Sequence, residues 1–276
     1  MKKICIGYQL YSAREEAAKD LYSVLKQLKE MVYDGVEFAG FYGYTPEKIS
    51  CLLKETGLIA ISSHVPYAKM VDDMYAVISE HLKIGCKYIV VPYLEDGLRP
   101  GQAGFAEVIR NIYRFGMLCK EAGITLLYHN HDFEFSRVSD MYGLDFLYSS
   151  IPADILSTEI DTCWVKYSGI DPTAYILQYS GRAPIIHLKD YVGQKDNVQP
   201  YALIKEDGSD DGTNAAKTSF QFRPVGCGCQ DIAAIIKAGK NAGAVYFVVE
   251  QDQWYNQNPL EAAKVSIDNI IGLGLL

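Results

Sequence analysis

Short apolar runs alternate with longer amphipathic segments along the whole chain. The runs have the length and residue types of buried strands, and the longer segments space their apolar side chains as one face of a helix does. The pattern therefore predicts eight strands, each followed by a helix. The predicted strands are Ile4–Leu10, Val36–Phe38, Leu58–His64, Tyr88–Tyr93, Thr125–Asn130, Leu156–Asp161, Pro184–Lys189 and Val245–Glu250.

The predicted helices fill the intervals between these strands and follow the last one. One begins at Thr45-Pro46, a hydroxyl cap followed by proline at the first helical position. The others are Asp20–Val32, Asp72–Ile84, Ala106–Ala122, Asp140–Ser149, Asp171–Tyr179, Asp231–Ala242 and Leu260–Ile271.

Regular alternation of strands and helices implies parallel strands joined by crossover helices. Eight such units in 276 residues predict one closed (β/α)₈ TIM barrel spanning residues 1–276, with an open doubly wound sheet as the alternative. The first strand ends with Gly7-Tyr8-Gln9-Leu10 and is not followed by the Gly-x-Gly-x-x-Gly of a dinucleotide-binding protein, and the sequence has no Walker-type loop. A nucleotide-binding fold is therefore not supported.

A long insertion, residues 191–224, follows the seventh strand. Loops of this length inside a compact domain are usually functional or locally ordered. We expect Val198–Ile204 and Ser219–Val225 to pair around a polar tip, Lys205–Asn214. The acidic spacing of the tip has some similarity to a calcium loop, but Thr218 stands where a bidentate glutamate is required. A solvated hairpin is the favoured interpretation.

Charge and cysteine usage narrow the class of protein. The net charge is −8, and Lys and Arg form no continuous stripe, so nucleic acids and anionic membranes are not expected partners. The seven cysteines lie mostly in apolar runs, which predicts that they are free and buried. Since the sequence has neither a leader pattern nor a membrane-spanning stretch, we expect a cytoplasmic protein.

The predicted strands end in side chains that can bind metal or transfer protons. The active site of such a barrel lies at the carboxyl ends of its strands, which we call the barrel mouth. An isolated polar residue after a strand is usually a solvated turn residue or a helix cap, but here seven strands share the feature. The residues in question are Gln9, Glu37, His64, His129, His131, Asp161, His187, Lys189, Glu250 and Asp252.

Four of these residues, on strands five to eight, form a candidate metal site: His129, Asp161, His187 and Glu250. Two imidazoles with two carboxylates suit Mn²⁺, Zn²⁺, Co²⁺ or Fe²⁺ and suit Mg²⁺ less well. A bound ion would act as a Lewis acid on a substrate carbonyl while a neighbouring base removes the α-proton. His131 and Glu37 are the candidate bases, and Glu250 is expected to contribute to catalysis as well.

Several motifs along the whole chain resemble one known family, the sugar phosphate isomerases/epimerases with a xylose-isomerase-like barrel. The motifs are QLYSAREE, GVEFAGFYG, SSHVP, YHNHDFEF, EIDTCWVKYSGIDP, HLKD, FRPVGCG and VVEQD. The resemblance implies a TIM-barrel enzyme of carbohydrate metabolism, often a homo-oligomer. It leaves the reaction open, since the family includes epimerases, isomerases, dehydratases and lyases of keto sugars.

The fifth strand departs from the family pattern. The family commonly binds its metal through Glu, Asp, His and Glu on strands five to eight, and here His129 takes the place of the first Glu. The resemblance leaves open whether His129 or Glu134 is the ligand, or whether both only line the pocket. The missing Glu argues against an epimerase with two glutamate bases and favours proton abstraction by His131, at a position where related enzymes have a His.

A second departure follows the sixth strand, where Trp164 stands in place of the His of an Asp-x-x-His pattern. Its ring could form a wall for a sugar or pack under the barrel rim. Lys189 and Arg223 are the cations expected near the mouth, so a phosphate on the substrate is not indicated. The expected substrate-binding residues are Gln9, His64, Glu134, Trp164, Lys189 and Arg223.

The sequence thus predicts a metal-dependent isomerase or epimerase that forms an enediolate from an unphosphorylated sugar, keto sugar or cyclitol. A lyase or dehydratase using the same proton abstraction is the alternative. Five histidines and a net charge of −8 disfavour the three-zinc endonucleases that share the barrel. A metal-free binding protein or scaffold is the remaining hypothesis.

Overall fold

Eight parallel strands close into a barrel in the computed structural model, which describes residues 4–195, 219–255 and 257–275. We number them β1 to β8 in chain order, and each pairs with its sequence neighbours while β8 pairs with β1. The predicted (β/α)₈ architecture is confirmed. The strands are Cys5–Gln9, Gly35–Ala39, Ile59–His64, Tyr88–Val91, Thr125–His129, Leu156–Asp161, Ile185–Leu188 and Tyr246–Val249.

Helices cover the outside of the barrel. Thr45 caps the second helix as predicted, since its hydroxyl accepts a hydrogen bond from the backbone N–H of Lys48 at 3.3 Å. The helices are Arg14–Glu30, Pro46–Thr56, Tyr67–Asp72, Met74–Lys83, Phe105–Glu121, Gly143–Ser150, Thr162–Tyr167, Pro172–Gln178, Ile232–Ala242 and Pro259–Gly272. Short 3₁₀ turns lie at Leu10–Ala13, Asp96–Leu98 and Phe133–Phe135.

The predicted helix Asp72–Ile84 is wrong in extent, because two helices meet at Asp73. That residue has an extended backbone, with φ −147° and ψ 87°, and its carboxylate accepts a hydrogen bond from the Ala76 N–H at 2.9 Å. An aspartate that satisfies a free backbone donor in this way starts a new helix. The apolar spacing continues across the break, so the pattern alone does not reveal it.

The first helix also differs from its prediction, Asp20–Val32. It begins at Arg14 and ends at Glu30. Val32 lies beyond its end with φ +68° and is 61% exposed, so this side chain does not belong to the buried face.

The two ends of the insertion meet in a short antiparallel ribbon. Asp190–Val192 pairs antiparallel with Gln221–Arg223. The predicted partner strand Val198–Ile204 and the predicted tip Lys205–Asn214 lie outside the described residues.

A second short ribbon shifts the start of one helix. Arg137–Val138 pairs with Met141–Tyr142, so the following helix begins at Gly143 and not at Asp140 as predicted.

The inside of the barrel contains an apolar layer below a polar one. The apolar layer is a separate buried cluster of Ile61, Val90, Leu127, Ile185 and Val248, one residue from each of five strands. Side chains two residues apart on a strand point to the same face. The layer above Leu127, Ile185 and Val248 is therefore formed by His129, His187 and Glu250. The apolar cluster is the floor of the candidate site.

Burial of the cysteines differs from the prediction at four positions. None of the seven, which all lie in the described ranges, forms a disulfide, but Cys5 is half-buried and Cys51, Cys227 and Cys229 are exposed. Cys51 lies on the solvent side of helix Pro46–Thr56, and the other two exposed cysteines lie in the turns before the helix Ile232–Ala242.

Throughout residues 4–195, 219–255 and 257–275, every helix is too short or too polar to span a bilayer.

Replacing Val32 with glycine should stabilise the protein. A β-branched residue in the left-handed region is strained by about 1–2 kcal/mol, and glycine removes the strain at the cost of some chain entropy. We expect Val32→Gly to raise the free energy of unfolding by about 0.5–1 kcal/mol, measured from the midpoint of urea unfolding. The same substitution at Val265, an exposed position inside a helix, should lower the midpoint. Destabilisation by Val32→Gly would contradict the strain argument.

Candidate active site and metal centre

The four predicted ligands converge at the barrel mouth. One ligand atom from each of His129, Asp161, His187 and Glu250 can be chosen so that all four lie within 4.8 Å of one another, and all four residues are buried. The Nε2 atom of His129 lies 3.6 Å from Oδ2 of Asp161, and Nδ1 of His187 lies 3.0 Å from Oε2 of Glu250. Two imidazoles and two carboxylates at these separations form a group that could hold a metal ion.

Asp161 serves as a helix cap and also leaves one oxygen for a ligand. Its Oδ1 accepts a hydrogen bond from the Cys163 N–H at 2.8 Å at the start of helix Thr162–Tyr167, a helix that the sequence pattern did not reveal. Its Oδ2 is buried and has no hydrogen-bond partner among the described residues. Burial raises the pKa of Asp161 to about 6. Lys189 Nζ lies 3.4 Å from Oδ2 without a hydrogen bond, so a bound cation would supply the close partner that a buried carboxylate oxygen needs.

Hydrogen bonds between side chains and the backbone hold the strands that carry the ligands in register. The Asn130 side chain donates to the carbonyl of Asp161 at 3.2 Å and accepts from its N–H at 3.0 Å. The Thr162 hydroxyl donates to the carbonyl of His187 at 2.8 Å. Strands β5, β6 and β7 are thus tied together at the point where they enter the site.

Lys189 lies among carboxylates and is 1% exposed. Its Nζ is 2.8 Å from Asp252, 3.0 Å from Glu250 and 3.4 Å from Asp161. Burial alone would lower the pKa of Lys189, but the charges of Asp252 and Glu250 outweigh it and raise the pKa well above its usual value. Burial would likewise raise the pKa of Glu250, yet Lys189 and His187 lower it. Both partners therefore stay charged.

His131 follows β5 and is surrounded by rings. It stacks on Phe133 with ring centroids 5.6 Å apart and on Trp164 at 5.6 Å, and its ring lies 5.2 Å from that of His129. Burial, with the charge of Lys189 as a smaller cause, holds the pKa of His131 well below its ordinary value. The ring is therefore neutral, and one of its nitrogens has a lone pair that could accept a proton from a substrate placed beside it.

Glu134 supports the turn that carries His131. Its carboxylate accepts hydrogen bonds from the Tyr128 hydroxyl at 2.6 Å and from the His131 N–H at 2.8 Å. Burial raises its pKa to about 8. Of the two candidate ligands on the fifth strand and its turn, the structure brings His129 and not Glu134 into the group of ligand atoms.

Glu159 is a buried site residue that sequence reasoning missed. It lies on β6, two residues before Asp161, and is fully buried. Its Oε1 is 2.7 Å from His64 Nε2, 3.0 Å from His187 Nε2 and 3.2 Å from His129 Nδ1. These four residues form a second compact group of ligand-type atoms. The two-residue periodicity of a strand was the available signal, since it places Glu159 on the same face as Asp161.

Glu37 lies in the same layer with both oxygens in contact with donors. Its Oε1 accepts from Gln9 Nε2 at 2.6 Å and lies 2.9 Å from His187 Nε2 and 3.1 Å from His64 Nε2, while the Ser62 hydroxyl donates to Oε2. Burial would raise the pKa of Glu37, but the charges of His64 and His187 lower it well below the usual range. A carboxylate paired in this way is a poor base, so the geometry favours His131 for proton abstraction.

Trp164 and Arg223 lie against the ribbon of the insertion. Trp164 is fully buried and stacks on Phe220 with centroids 6.0 Å apart, and Lys189 Nζ lies 5.3 Å from its ring centroid. Arg223 is partly exposed and donates to the Phe222 carbonyl at 3.0 Å and to the Gln221 side chain. Trp164 therefore packs between His131 and the ribbon, whereas Arg223 is bonded within its own ribbon.

Comparison with known protein families gives one match over most of the chain. A family described as xylose isomerase-like TIM barrel matches residues 25–270. No curated protein matches the chain significantly.

Solved structures with the same fold cover nearly the whole chain. A sugar phosphate isomerase/epimerase from Parabacteroides distasonis is 21% identical with a TM-score of 0.77, and covers 98% of each chain. A probable 3-DHS dehydratase, AsbF, from Bacillus anthracis is 14% identical with a TM-score of 0.71, covering 97% of this chain and 99% of its own. The IolI protein, solved with a bound zinc atom, is 11% identical with a TM-score of 0.68, covering 98% of each chain. At these identities the similarity shows the fold alone.

Neutralising Glu134 should change how stability depends on pH. Because burial raises the Glu134 pKa to about 8, the folded protein retains a proton between about pH 4.5 and pH 8 that the unfolded chain releases. This carboxyl therefore lowers stability as pH rises, by up to about 1.4 kcal/mol per pH unit in that window. Urea unfolding from pH 5 to pH 8 should show that Glu134→Gln gains stability relative to the parent as pH rises. A constant difference between the two proteins would contradict the burial argument.

Proposed function

The chain belongs to the xylose isomerase-like TIM barrel family, and we propose that it is a metal-dependent enzyme of the sugar isomerase/epimerase type. In this proposal it removes a proton α to a carbonyl of a sugar, keto sugar or cyclitol and forms an enediolate. The observation that carries the proposal is the buried group of His129, Asp161, His187 and Glu250, with the neutral ring of His131 beside it.

The donor set supports a divalent transition metal. Imidazole nitrogens suit Mn²⁺, Zn²⁺, Co²⁺ and Fe²⁺, whereas Mg²⁺ prefers an all-oxygen shell. His129, Asp161, His187 and Glu250 would hold the ion, and Oδ2 of Asp161, which has no hydrogen bond among the described residues, would gain a cationic partner closer than Lys189 at 3.4 Å. When bound, such an ion polarises a carbonyl oxygen and stabilises negative charge that develops on it.

The chain's own residues supply the base and the environment of the reaction. His131 is neutral and can take the α-proton, while the rings of Phe133 and Trp164 limit access of water to it. Lys189 stays protonated and provides a fixed positive charge beside Glu250. Because the pKa of Glu250 is lowered, its carboxylate stays ionised, and its main role in this proposal is that of a metal ligand.

A single neutral base favours some reactions over others. His131 can remove a proton and return it to the neighbouring carbon, which is isomerisation, or leave the carbanion to expel a β-substituent. Inversion at one carbon needs a second group on the opposite face, and the pairing of Glu37 with four donors makes that residue a weak candidate. The geometry therefore favours isomerisation, with elimination by a lyase or dehydratase as the second candidate.

The existing contacts of Lys189 and Arg223, the two cations expected near the mouth, support an unphosphorylated substrate. Lys189 is already paired with buried carboxylates, and Arg223 is bonded to its own ribbon. Binding a phosphate at either residue would first require breaking these contacts.

Exchange of solvent deuterium into candidate substrates tests the reaction class. We expect the metal-loaded protein to exchange the α-proton of a substrate from a panel of ketoses, 3-keto glucosides and inososes, measured by mass spectrometry and NMR. Exchange with formation of an isomer supports the proposal, and elimination products support the lyase. Absence of metal binding together with absence of exchange would reject the catalytic assignment.

Two histidine variants separate metal binding from proton transfer. We expect His187→Ala to lose the bound metal, because it removes a ligand, and His131→Ala to keep the metal and lose turnover by at least about 10²-fold. Elemental analysis and the exchange assay measure the two effects. His81→Ala, at a buried histidine whose Nδ1 contacts the Val77 carbonyl in a helix, should change neither and serves as the control. Retained turnover in His131→Ala would remove its assignment as the base.

A further inference from the structure

The ring of His129 faces two acidic groups, and the ring of His187 faces three. One nitrogen of each ring points to the proposed metal group: Nε2 of His129 towards Asp161 at 3.6 Å, and Nδ1 of His187 towards Glu250 at 3.0 Å. The other nitrogen of each ring lies near Oε1 of Glu159, at 3.2 Å for His129 Nδ1 and 3.0 Å for His187 Nε2, and the latter nitrogen also lies 2.9 Å from Oε1 of Glu37. One carboxylate is therefore in reach of the distal nitrogens of both imidazole ligands.

The chemistry of imidazole determines what this arrangement can do. A neutral imidazole that binds a metal through one nitrogen carries a proton on the other. An acceptor beside that proton fixes the tautomer and the ring orientation, and it makes the ligating nitrogen more basic. Oε1 of Glu159 accepts a hydrogen bond from Nδ1–H of His129, and its charge lies 3.0 Å from Nε2 of His187, which makes no hydrogen bond among the described residues.

Burial strengthens the effect of this carboxylate. Glu159 is fully buried on β6, above the apolar floor of the barrel, so water screens its charge only weakly. His64 Nε2 lies 2.7 Å from the same oxygen and fills a third direction around it. Three ring nitrogens around one oxygen restrict rotation of the two ligand rings.

We propose that Glu159 is a positioning residue that orients both imidazole ligands of the metal site. It selects metal binding through Nε2 of His129 and Nδ1 of His187, and it supplies negative charge to both rings. This inference rests on the proposed function, because it presupposes that the group of His129, Asp161, His187 and Glu250 holds the ion. The competing reading of the same residues is that His64, His129, Glu159 and His187 themselves bind a cation.

Metal affinity of isosteric variants tests the proposal. We expect Glu159→Gln to weaken Zn²⁺ binding by about 10–100-fold, measured by competition with a chromophoric chelator, and Glu159→Asp to recover part of the loss. Glu134→Gln is the steric control, since it also replaces a buried glutamate by its amide isostere, but one that contacts Tyr128 and a backbone N–H and no imidazole. Its Zn²⁺ affinity should equal that of the parent. Equal affinity of Glu159→Gln and the parent would overturn the proposal.

Nitrogen NMR of the zinc-loaded protein labelled at histidine distinguishes the two readings directly. We expect one equivalent of zinc, bound through Nε2 of His129 and Nδ1 of His187, with protons on the opposite nitrogens. Binding through Nδ1 of His129 and Nε2 of His187, or two equivalents of zinc, would place an ion beside Glu159 and overturn the proposal. Failure of the parent protein to bind zinc or any other divalent ion would instead reject the proposed function.

If Glu159→Gln does not fold, His64→Gln gives a second test. It leaves Glu159 and both ligands in place and removes the third ring nitrogen near Oε1. The proposal expects zinc to remain bound through the same nitrogens of His129 and His187. Loss of zinc in this folded variant would assign His64 as a ligand and overturn the proposal.

Discussion

Burial of charge at the mouth of a closed barrel is the constraint on which the site depends. The interior below the mouth is filled by an apolar layer, so the ionisable side chains above it have little water to solvate them. Buried charges persist only when they are paired and hydrogen-bonded. Glu37 and Glu159 are paired with imidazole rings, and Lys189 is paired with carboxylates.

This pairing of buried charges also determines which groups remain available to bind a metal ion or to accept a proton. Carboxylates surrounded by donors, such as Glu37, are held ionised and are poor bases, whereas His131 lies among rings and stays neutral. Asp161 has one oxygen fixed by a helix N-terminus and the other without a hydrogen bond among the described residues. The mouth therefore combines a rigid layer of paired charges with one available ligand oxygen and one available base.

Much of this arrangement follows from sequence periodicity. The strand ends were predicted within a few residues, and the parallel fold then brought His129, Asp161, His187 and Glu250 to one place. Glu159 is not predicted from the ends of the strands because it lies two residues before the end of β6, although the alternation of that strand contains the signal. Glu134 was an alternative ligand because it follows His129 by a few residues, but its carboxylate accepts hydrogen bonds from the Tyr128 hydroxyl and the His131 N–H and lies outside the group of ligand atoms.

Other features could not be read from local pattern. The place of Trp164 depends on stacking against Phe220, which is 56 residues away in the chain and belongs to the ribbon of the insertion. The pairing of that ribbon with Asp190–Val192 depends on how the chain returns to the barrel after the insertion. The break at Asp73 depends on one side chain that competes with the helix for a backbone donor.

Diffraction at the zinc absorption edge, from crystals grown with zinc, tests the central claim most directly. The account predicts an anomalous peak bounded by His129 Nε2, His187 Nδ1 and the carboxylates of Asp161 and Glu250. A site without a peak, or a peak located elsewhere in the barrel, would contradict it.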